Sequence, residues 1–470
     1  MSSSPCGPPA WVGTPVIGAQ SSPVHRVTTA IRSAAKLGSR HAIRAFVPRG
    51  AWRERRGRVK NPRNQRPRIL LVGPMPPTKG GITTFMLNLM ASYLNEEFEF
   101  VPYTTTRPPK RDVIDNWGYG AVFRGGPVRI LQGILLTIGR FITFPCFVIC
   151  RRIDLVQIQA SDYQVFWEGV VYAILARSVG RPVFLRIGGA FDLFHGGSPR
   201  LVQCWIGAAL RIPQFLIAQS HFAYDYLRRA GRTGEIVVLP NWIRDTNLTP
   251  SVRTDSAGSL CLFIAGTEAR RKGIEEIVEA MRRLDISGSP ARFHLVAMTP
   301  SFLDRIKALH LNNIHAAEGP AEHGRVLELM SRADVFLLPS HAEGFPNSLV
   351  EAMAAGMASV VTPVGAVPEM VADGGALVIP VGDAGALHTA IERLAANPDL
   401  RRRLGEEAQR AVRARYMPPS ALPPLADAYR GTLKQSRSHG PRTPEPRTSR
   451  GHFQDRRSTN QTSQVEPPHH

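Results

Sequence analysis

Short apolar runs alternate along the chain with longer segments in which apolar residues recur every three or four positions. The short runs are typical of parallel strands buried on both faces, and the longer segments are typical of amphipathic helices. Their alternation predicts parallel sheets joined by helical crossovers. The clearest predicted strands are Arg68–Gly73, Leu155–Gln159, Pro182–Ile187, Leu260–Gly266 and Ala333–Pro339.

A polar, turn-rich stretch near residues 245–257 divides this pattern into two halves. We expect two Rossmann-like domains, over residues 68–250 and 251–415, followed by a helix over residues 416–433. A chain of 470 residues with 43% apolar content is long enough for two separate hydrophobic cores. The predicted fold class is therefore α/β with two parallel sheets.

Basic residues are concentrated at the two ends of the chain. Residues 1–67 hold thirteen Lys and Arg residues against the single acid Glu54, and residues 434–470 hold seven against three. Of the net charge of +21, only about +5 remains for the body between them. Rich in Pro, Ser and Arg, both ends have the composition of disordered basic tails. Such tails are either solvated or in contact with an anionic membrane face; without interleaved aromatics or a motif, nucleic acid is not an expected partner.

Five cysteines are scattered along the chain without the spacing of a metal site. An odd, dispersed set of this kind favours a reducing compartment. The residues before Arg26 contain neither a basic n-region nor a sustained apolar h-region, so no secretory signal is predicted. We therefore expect a cytoplasmic protein.

The segment Ile130–Cys150 is largely apolar and is followed by Arg151 and Arg152. Three interpretations are open: ordinary core helices, a helix docked in a membrane interface, and a transmembrane helix. Arg140 near the middle of the segment disfavours insertion across a bilayer. Pro145 predicts two helical pieces rather than one rod.

The richest chemistry lies in the run Ser340–Gly356, which contains Glu343 and Glu351. A predicted strand precedes it and a helix is predicted from Ser348, so Glu343 falls on a strand-to-helix loop, where α/β sheets place ligands. A helix start favours an anionic phosphate, and a carboxylate one turn inside the helix can accept hydrogen bonds from sugar hydroxyls. The run therefore predicts a site for a ligand that is part phosphate and part polyol.

In its whole context this run resembles the retaining family-four glycosyltransferases of the GT-B fold, whose signature is a glutamate, seven residues and a second glutamate. The resemblance covers roughly Arg68 to Arg430. It implies two Rossmann-like domains facing an interdomain cleft, with the acceptor on the first domain and the nucleotide sugar on the second. The final helix would cross back onto the first domain. Glu343 would lie beside the donor sugar and Glu351 would bind the nucleotide ribose.

Further residues match the family's donor site. Lys272, before a glycine, corresponds to the lysine that neutralises the diphosphate, and Gly80 with Gly81 corresponds to the first glycine-rich loop of the cleft. The resemblance implies Glu343 and Lys272 as catalytic residues, with no metal and no cofactor. The implied donor-binding set is Gly80, Gly81, Arg271, Lys272, Glu343, Gly344, Phe345, Pro346, Asn347, Ser348, Leu349 and Glu351. Gly365 and Glu369 match a loop further along the cleft, where Glu369 is either a cleft residue or a helix cap.

The chain departs from the family pattern at two positions. Thr267 stands where an arginine is usual, so Arg270 or Arg271 would substitute for it. Ile187 stands where a histidine precedes paired glycines, which puts turnover in doubt. Asp192 and His195 lie close in sequence and could supply a polar group, although a structural role suits each of them better.

The resemblance implies a retaining, metal-independent hexosyltransferase that moves sugar from a nucleotide-sugar donor to a glycan or lipid-linked acceptor in polysaccharide or glycolipid biosynthesis. Two alternatives stay open: a non-catalytic nucleotide-sugar-binding protein of the same fold, and a nucleotide-sugar epimerase. The enzyme would be cytoplasmic, either free or peripheral at an anionic inner membrane surface reached through Ile130–Cys150.

Overall fold

A computed structural model describes residues 66–78, 80–106, 127–244, 259–266 and 269–438. Within these ranges the strands form two six-stranded, wholly parallel sheets. The first sheet has the order β2-β1-β3-β4-β5-β6 and the second the order β12-β11-β10-β7-β8-β9. The first comprises β1 (Arg68–Gly73), β2 (Glu99–Thr104), β3 (Leu155–Ala160), β4 (Val183–Ile187), β5 (Phe215–Ala218) and β6 (Glu235–Val238). The second comprises β7 (Ser259–Ile264), β8 (Ala291–Val296), β9 (Ile314–Ala317), β10 (Val335–Leu338), β11 (Ala358–Val361) and β12 (Ala376–Val378).

The predicted strands are confirmed, and the helices between them cover both faces of each sheet. Strands β1, β3, β4 and β10 are buried almost throughout, as their continuous apolar runs predict. The first-domain helices are α1 (Gly81–Met90), α2 (Leu94–Glu97), α3 (Pro127–Cys150), α4 (Tyr163–Ser178), α5 (Phe191–Gly196), α6 (Arg200–Ala209) and α7 (His221–Arg229). The later ones are α8 (Ile274–Ile286), α9 (Pro300–Lys307), α10 (His323–Arg332), α11 (Asn347–Ala354), α12 (Val367–Met370), α13 (Ala384–Ala396), α14 (Pro398–Arg415), α15 (Pro418–Ala421) and α16 (Pro423–Ser438).

Both sheets are doubly wound, and the strand order reverses between β1 and β3 in the first and between β7 and β10 in the second. At such a reversal the crossovers leave on opposite faces, so a crevice opens at the carboxyl ends of the two central strands. The loops after β7 and β10 carry Lys272 and Glu343. The topology alone therefore brings these two residues to one crevice.

Helix α3 departs from the expectation of two pieces, because it continues through Pro145 as one helix of 24 residues. Proline has no N–H, so the carbonyl of Phe141 lacks its usual helical donor. The hydroxyls of Tyr103 and Thr143 both donate to the neighbouring Arg140 carbonyl, at 3.2 Å. The helix nevertheless continues through the proline without ending there.

The core-helix interpretation of this segment holds for only one of its faces. Phe144 and Val148 are fully buried in the core of the first domain, whereas Leu135 and Ile142 are 58% and 73% exposed. Helices α3, α4, α6 and α7 share that core on one face of the sheet. Helices α1, α2 and α16 pack on the opposite face.

The end of the described chain crosses back onto the first domain, as the sequence predicts. Tyr429 of α16 is fully buried, and its ring packs edge-on against Phe98 at 5.4 Å and Phe184 at 5.2 Å. Its hydroxyl donates to the Gln157 side chain. The helix continues to Ser438, five residues beyond the predicted limit of 433. The predicted linker at 245–257 and most of both predicted tails lie outside the described residues.

Replacing Tyr429 with alanine tests how strongly this helix holds the first domain. The substitution removes a buried aromatic side chain, so we expect the free energy of unfolding to fall by about 3–5 kcal/mol. The midpoint of the first unfolding transition in urea measures the change. Ile286→Ala is the control, since Ile286 is 87% exposed and its loss should change little. An unchanged midpoint for Tyr429→Ala would show that the crossing helix is dispensable.

Candidate functional site

The loop after β7 is held against the end of β10 by a glycine. Gly273 has a φ of 82°, and a Cβ there would lie 2.2 Å from the Pro339 carbonyl oxygen. Only glycine tolerates both the left-handed conformation and the close approach. Lys272 and Arg271, just before it, are thereby directed toward the loop after β10. Thr267 of the same loop lies outside the described residues.

Glu343 is the buried centre of the arrangement, with 6% of its surface exposed. Its Oε1 accepts a hydrogen bond from Ser340 Oγ at 2.9 Å and lies 3.4 Å from Lys272 Nζ. Its Oε2 lies 3.5 Å from Arg271 Nη1. Burial raises the pKa of the carboxyl, but the two cations and the hydrogen bonds outweigh it and hold the pKa below its usual value. The carboxylate is therefore charged.

Backbone contacts fix the loop that carries Glu343. His341 N donates to the Arg271 carbonyl at 2.8 Å, and the Arg271 guanidinium donates to the Ala342 carbonyl. A Cβ on Gly365 would lie 1.9 Å from the Glu343 carbonyl oxygen, and Gly365 has a φ of 56°. The loops after β7, β10 and β11 thus approach one another closely around Glu343, and at these points their backbones are in contact.

The start of α11 faces the glycine-rich turn of the first domain. A Cβ on Gly81 would lie 3.2 Å from Asn347 Nδ2, so Gly81 and Asn347 meet across the cleft. Asn347 Oδ1 accepts a hydrogen bond from Asn241, and Asn241 in turn accepts one from Arg186. Gly80 directly precedes α1. The structure therefore brings together the predicted glycines and the predicted helix start.

Two residues of the predicted donor set direct their side chains into the core instead. Phe345 is 7% exposed and its ring packs edge-on against Tyr416 at 5.7 Å, and Leu349 is fully buried. Pro346 precedes the helix, and its carbonyl accepts from Leu349 N at 3.1 Å. The side chains of Phe345 and Leu349 are therefore not available to a ligand, and the Leu349 N–H already has a partner. Ser348 lies in the first turn of α11.

Glu351 lies apart from Glu343, on the wall of a cavity of about 620 Å³. Its Oε1 is 3.6 Å from His323 Nε2. Burial raises the pKa of the Glu351 carboxyl to about 7 and lowers the pKa of His323. Both domains line the cavity, with Thr84, Phe85, Leu87, Asn88, Asn241, Trp242, Ile243 and Arg244 on one side and His323, Gly324, Leu327, Glu328, Ser331, Asn347, Val350 and Glu351 on the other.

A further contact between the two domains lies at Gly344. A Cβ on Gly344 would lie 2.0 Å from the Gly189 carbonyl oxygen, so the two domains touch here through glycines. Ile187 is 3% exposed at this point. Asp192 lines the same small pocket, whereas His195 Nδ1 pairs with the Tyr226 hydroxyl at 3.1 Å. His195 therefore has a structural partner.

Glu369 is a helix cap, and the helix belongs to the other domain. Its Oε2 accepts from the backbone N–H groups of His221 at 2.9 Å and Phe222 at 3.3 Å, at the start of α7. A carboxylate is stabilising at a helix N-terminus because the free N–H groups and the helix dipole favour negative charge. Glu369 thus joins the two domains through hydrogen bonds.

Several lining residues escaped the sequence reasoning. Asn241 and Trp242 end the first domain and reach the cavity, and His323 reaches it from α10. Arg186 is 1% exposed and lies over the Phe85 ring at 3.8 Å. In the sequence these residues appear only as a polar residue and an arginine near strand ends. Such residues are too common there to indicate a ligand site. Among the described residues, no cluster of three or more His, Cys, Asp and Glu side chains is placed to hold a metal ion.

Comparison with known proteins finds a family match in the second half of the chain. Residues 254–411 match the model described as glycosyl transferases group 1. The MMP alpha-(1->4)-mannosyltransferase of Mycolicibacterium hassiacum is 29% identical over 223 residues, which are 45% of this chain and 54% of the relative. The putative colanic acid biosynthesis glycosyltransferase WcaL of Escherichia coli K12 is 34% identical over 161 residues, 32% of this chain and 39% of the relative. The chain thus spans about half, or less, of the length of these relatives.

Solved structures with the same fold cover most of the chain. Sucrose-phosphate synthase from Thermosynechococcus elongatus gives a TM-score of 0.62 at 19% identity, over 79% of this chain and 100% of its own. Anabaena Alr3699/HepE in complex with UDP-glucose gives 0.56 at 17% identity, over 77% of this chain and 99% of its own. The predicted GT-B arrangement of two Rossmann-like domains is confirmed.

Replacing Gly344 with alanine tests whether the glycine contact sets the width of the cleft. The added methyl group would meet the Gly189 carbonyl, so the domains must move apart or the loop must shift. We expect affinity for a cleft ligand to fall by about tenfold or more while the protein remains folded. Gly431→Ala, a site where a Cβ meets nothing within 4 Å, is the matched control. Calorimetry that shows equal affinity for both variants would contradict this role.

Proposed function

We propose that the protein transfers a sugar from a nucleotide-sugar donor to a glycan or lipid-linked acceptor, because residues 254–411 match the model described as glycosyl transferases group 1. The observation that carries the proposal is the buried Glu343 carboxylate with Lys272 and Arg271 beside it, at the crevice between β7 and β10. A charged acid and two cations suit a ligand that presents hydroxyls on one side and phosphates on the other.

The donor diphosphate belongs beside Lys272 and the start of α11. Lys272 and Arg271 supply positive charge, and their side chains are 18% and 21% exposed, so a ligand can reach them. The helix start and the Gly80–Gly81 turn present backbone N–H groups on the opposite side. An anion between them would be neutralised from both domains.

The nucleoside belongs in the cavity at Glu351. An ionised Glu351 can accept hydrogen bonds from two ribose hydroxyls. Phe85 and Trp242 line the same cavity and give it an apolar wall. The cavity at about 620 Å³ is within the size range of small-molecule sites.

Sugar transfer breaks the anomeric bond, so negative charge grows on the departing diphosphate and positive character on the sugar ring. Lys272 and Arg271 would stabilise the first and Glu343 the second, because each is fixed before the reaction. We propose that the reaction proceeds with retention and without a metal, and that the leaving phosphate helps to deprotonate the acceptor.

The acceptor class is proposed from the relatives. Their names include colanic acid biosynthesis and a phosphatidylinositol N-acetylglucosaminyltransferase subunit from Schizosaccharomyces pombe. A polysaccharide or glycolipid acceptor is therefore the first to test. We place the reaction in the cytoplasm; Cys146, Cys150, Cys204 and Cys261 are all free in the described residues, in keeping with that compartment.

A second candidate is a nucleotide-sugar-binding protein without turnover. The observation that favours it is Ile187, a buried apolar side chain in the pocket beside Gly344. An apolar group there offers no hydrogen bond to a reacting sugar. The two functions share the donor site and differ in whether the donor is consumed.

Two successive measurements decide between the transferase and the binding protein. A thermal-shift screen against UDP-, GDP-, ADP- and dTDP-sugars identifies the donor, because a ligand that binds the folded state raises the melting temperature. Incubation of the best donor with chelator present, followed by NMR of the sugar, then shows whether transfer or hydrolysis occurs and with which anomeric configuration. No shift with any donor would overturn both candidates, and a shift without donor consumption would support the binding protein.

Nucleotide-sugar affinity should rise as the pH is raised through about 7. The Glu351 carboxyl has a pKa of about 7 in the free protein, so it is protonated at lower pH and accepts ribose hydroxyls poorly. Below that pKa we expect the affinity to fall about tenfold for each unit by which the pH is lowered. A nucleotide sugar is the right ligand, since its diphosphate diester does not titrate in this range.

Glu351→Gln should bind more weakly, by about tenfold or more, and lose the pH dependence. His323→Gln is the matched control, because His323 also titrates near the cavity and its variant should keep the dependence. Calorimetry across pH measures all three proteins. A wild-type affinity independent of pH, or a Glu351→Gln affinity that still rises, would remove Glu351 from the ribose site.

Lys272→Ala should lower turnover by about a hundredfold and change nucleoside affinity little, because Lys272 acts where the diphosphate charge grows. Arg283→Ala, a cation on the exposed surface of α8 paired with Glu279, is the control and should be neutral. Steady-state kinetics and nucleoside titration give the two quantities. Equal, small effects on both would place Lys272 outside the diphosphate site.

A further inference from the structure

Helix α3 presents an apolar face to solvent that the enzyme chemistry does not use. Among the described residues, sixteen large hydrophobic side chains are exposed, and seven of them lie on this one helix. Each of the seven is at least 47% exposed. Single exposed apolar residues are ordinary, but a contiguous patch marks a contact surface. The seven are Leu131, Ile134, Leu135, Leu136, Ile138, Ile142 and Ile149.

The opposite face of α3 is packed against the domain over the second half of the helix. Tyr103 of β2 meets Phe144 and Phe147 edge-on, each at 5.2 Å, and Phe141 meets Tyr172 of α4 at 5.0 Å. A helix held in this way cannot leave the domain to cross a bilayer, although its length and composition would allow a crossing. The outward face alone is available for contact.

Arg140, the only charged residue between Ile130 and Cys150, is turned away from that outward face. Its guanidinium donates to the carbonyls of Thr105 at 3.0 Å and Thr106 at 2.7 Å. Arg140, which disfavours insertion of the segment across a bilayer, therefore has its partners within the first domain. It also follows that Arg140 is not available to pair with lipid phosphates.

Two further helices on the same side of the sheet also expose large apolar side chains. Ile174 of α4 is 49% exposed, and Leu201 and Trp205 of α6, one helical turn apart, are 63% and 58% exposed. Helices α3, α4 and α6 share one core beneath them. Ten of the sixteen exposed large hydrophobic side chains therefore lie on this side of the first domain.

Cations flank the apolar surface and indicate its partner. Arg151 and Arg152 are exposed directly after α3, and Arg200 is exposed next to Leu201. Two copies of such a surface, brought together, would bring like charges together. An anionic bilayer would instead accept the apolar side chains among its acyl chains and the arginines among its phosphates. Trp205 has the amphipathic ring that is typical of this depth.

We propose that the outward face of α3, with Leu201 and Trp205 of α6, seats the protein on an anionic lipid bilayer. Helix α3, about 36 Å long, lies in the plane of the interface with its other face in the protein core. Docking does not depend on sugar transfer. If the proposed function also holds, the acceptor is the lipid-linked class, presented by the bilayer to the first domain.

Vesicle flotation of the full chain tests the proposal. The probes are vesicles of phosphatidylcholine alone and of phosphatidylcholine with phosphatidylglycerol, each at low and high salt. The variant Leu135→Gln with Ile142→Gln removes two of the most exposed side chains, and we expect its partition coefficient to fall by about tenfold or more. Ile286→Gln with Val378→Gln is the matched control, because both side chains are exposed on the second domain. Equal melting temperatures establish that all variants are folded.

A second variant separates charge from apolar contact. Arg151→Gln with Arg152→Gln should weaken the preference for anionic vesicles and leave binding to phosphatidylcholine unchanged. Raising the salt should have the same effect on the wild-type chain. Both results would support an apolar face flanked by cations.

Three outcomes would overturn the proposal. In the first, the wild-type chain does not float with any vesicle. In the second, the Leu135 and Ile142 variant floats as well as the wild type and high salt abolishes the flotation of both proteins, which assigns binding to charge alone. The third is a dimer in light scattering that the same variant dissociates while no protein floats, which assigns the face to a second copy. Flotation without donor consumption would sustain docking and count against the proposed function, so the two fail separately.

Discussion

The crevice at the carboxyl ends of β7 and β10 depends on a carboxylate that is buried and still charged. A carboxylate in such surroundings is stable only where cations and donors compensate for lost hydration. Glu343 finds them in Lys272, Arg271 and Ser340, which come from two different loops. The ion pairs therefore hold the loops after β7 and β10 together as well as preparing a place for a ligand. Each loop would lose its register without the other.

Around this centre the close approaches are made by glycine. Gly273 lies against Pro339, Gly365 against Glu343 and Gly344 against Gly189 of the first domain. At these places backbone meets backbone, so there is no side chain that could adjust its rotamer to absorb a shift. Where Gly344 meets Gly189, the van der Waals contact between the two backbones limits how closely the domains can approach. Glu369, bonded to the start of α7, adds a directional contact between the domains.

Sequence reasoning was sound where a signal is local. Burial on both faces gives parallel strands a continuous apolar run, and Glu343 with its helix start lies within one short segment, so both could be predicted. The partners of Asn347 and Glu369 lie 106 and 148 residues away and left no local trace. The partners of Arg140 in helix α3 also lie far away in sequence. Its composition contains Arg140, but only the fold shows that this side chain faces Thr105 and Thr106.

The chain passes between the domains twice, and the two passages are bonded to each other. Ile243 lies just before the first passage, and its N–H donates to the carbonyl of Tyr416 at 3.0 Å, where the second passage begins. Two connections that meet at one point form a pivot. If the angle of the cleft changes, residues near the pivot, such as Trp242, are displaced least and residues at the far rim are displaced most.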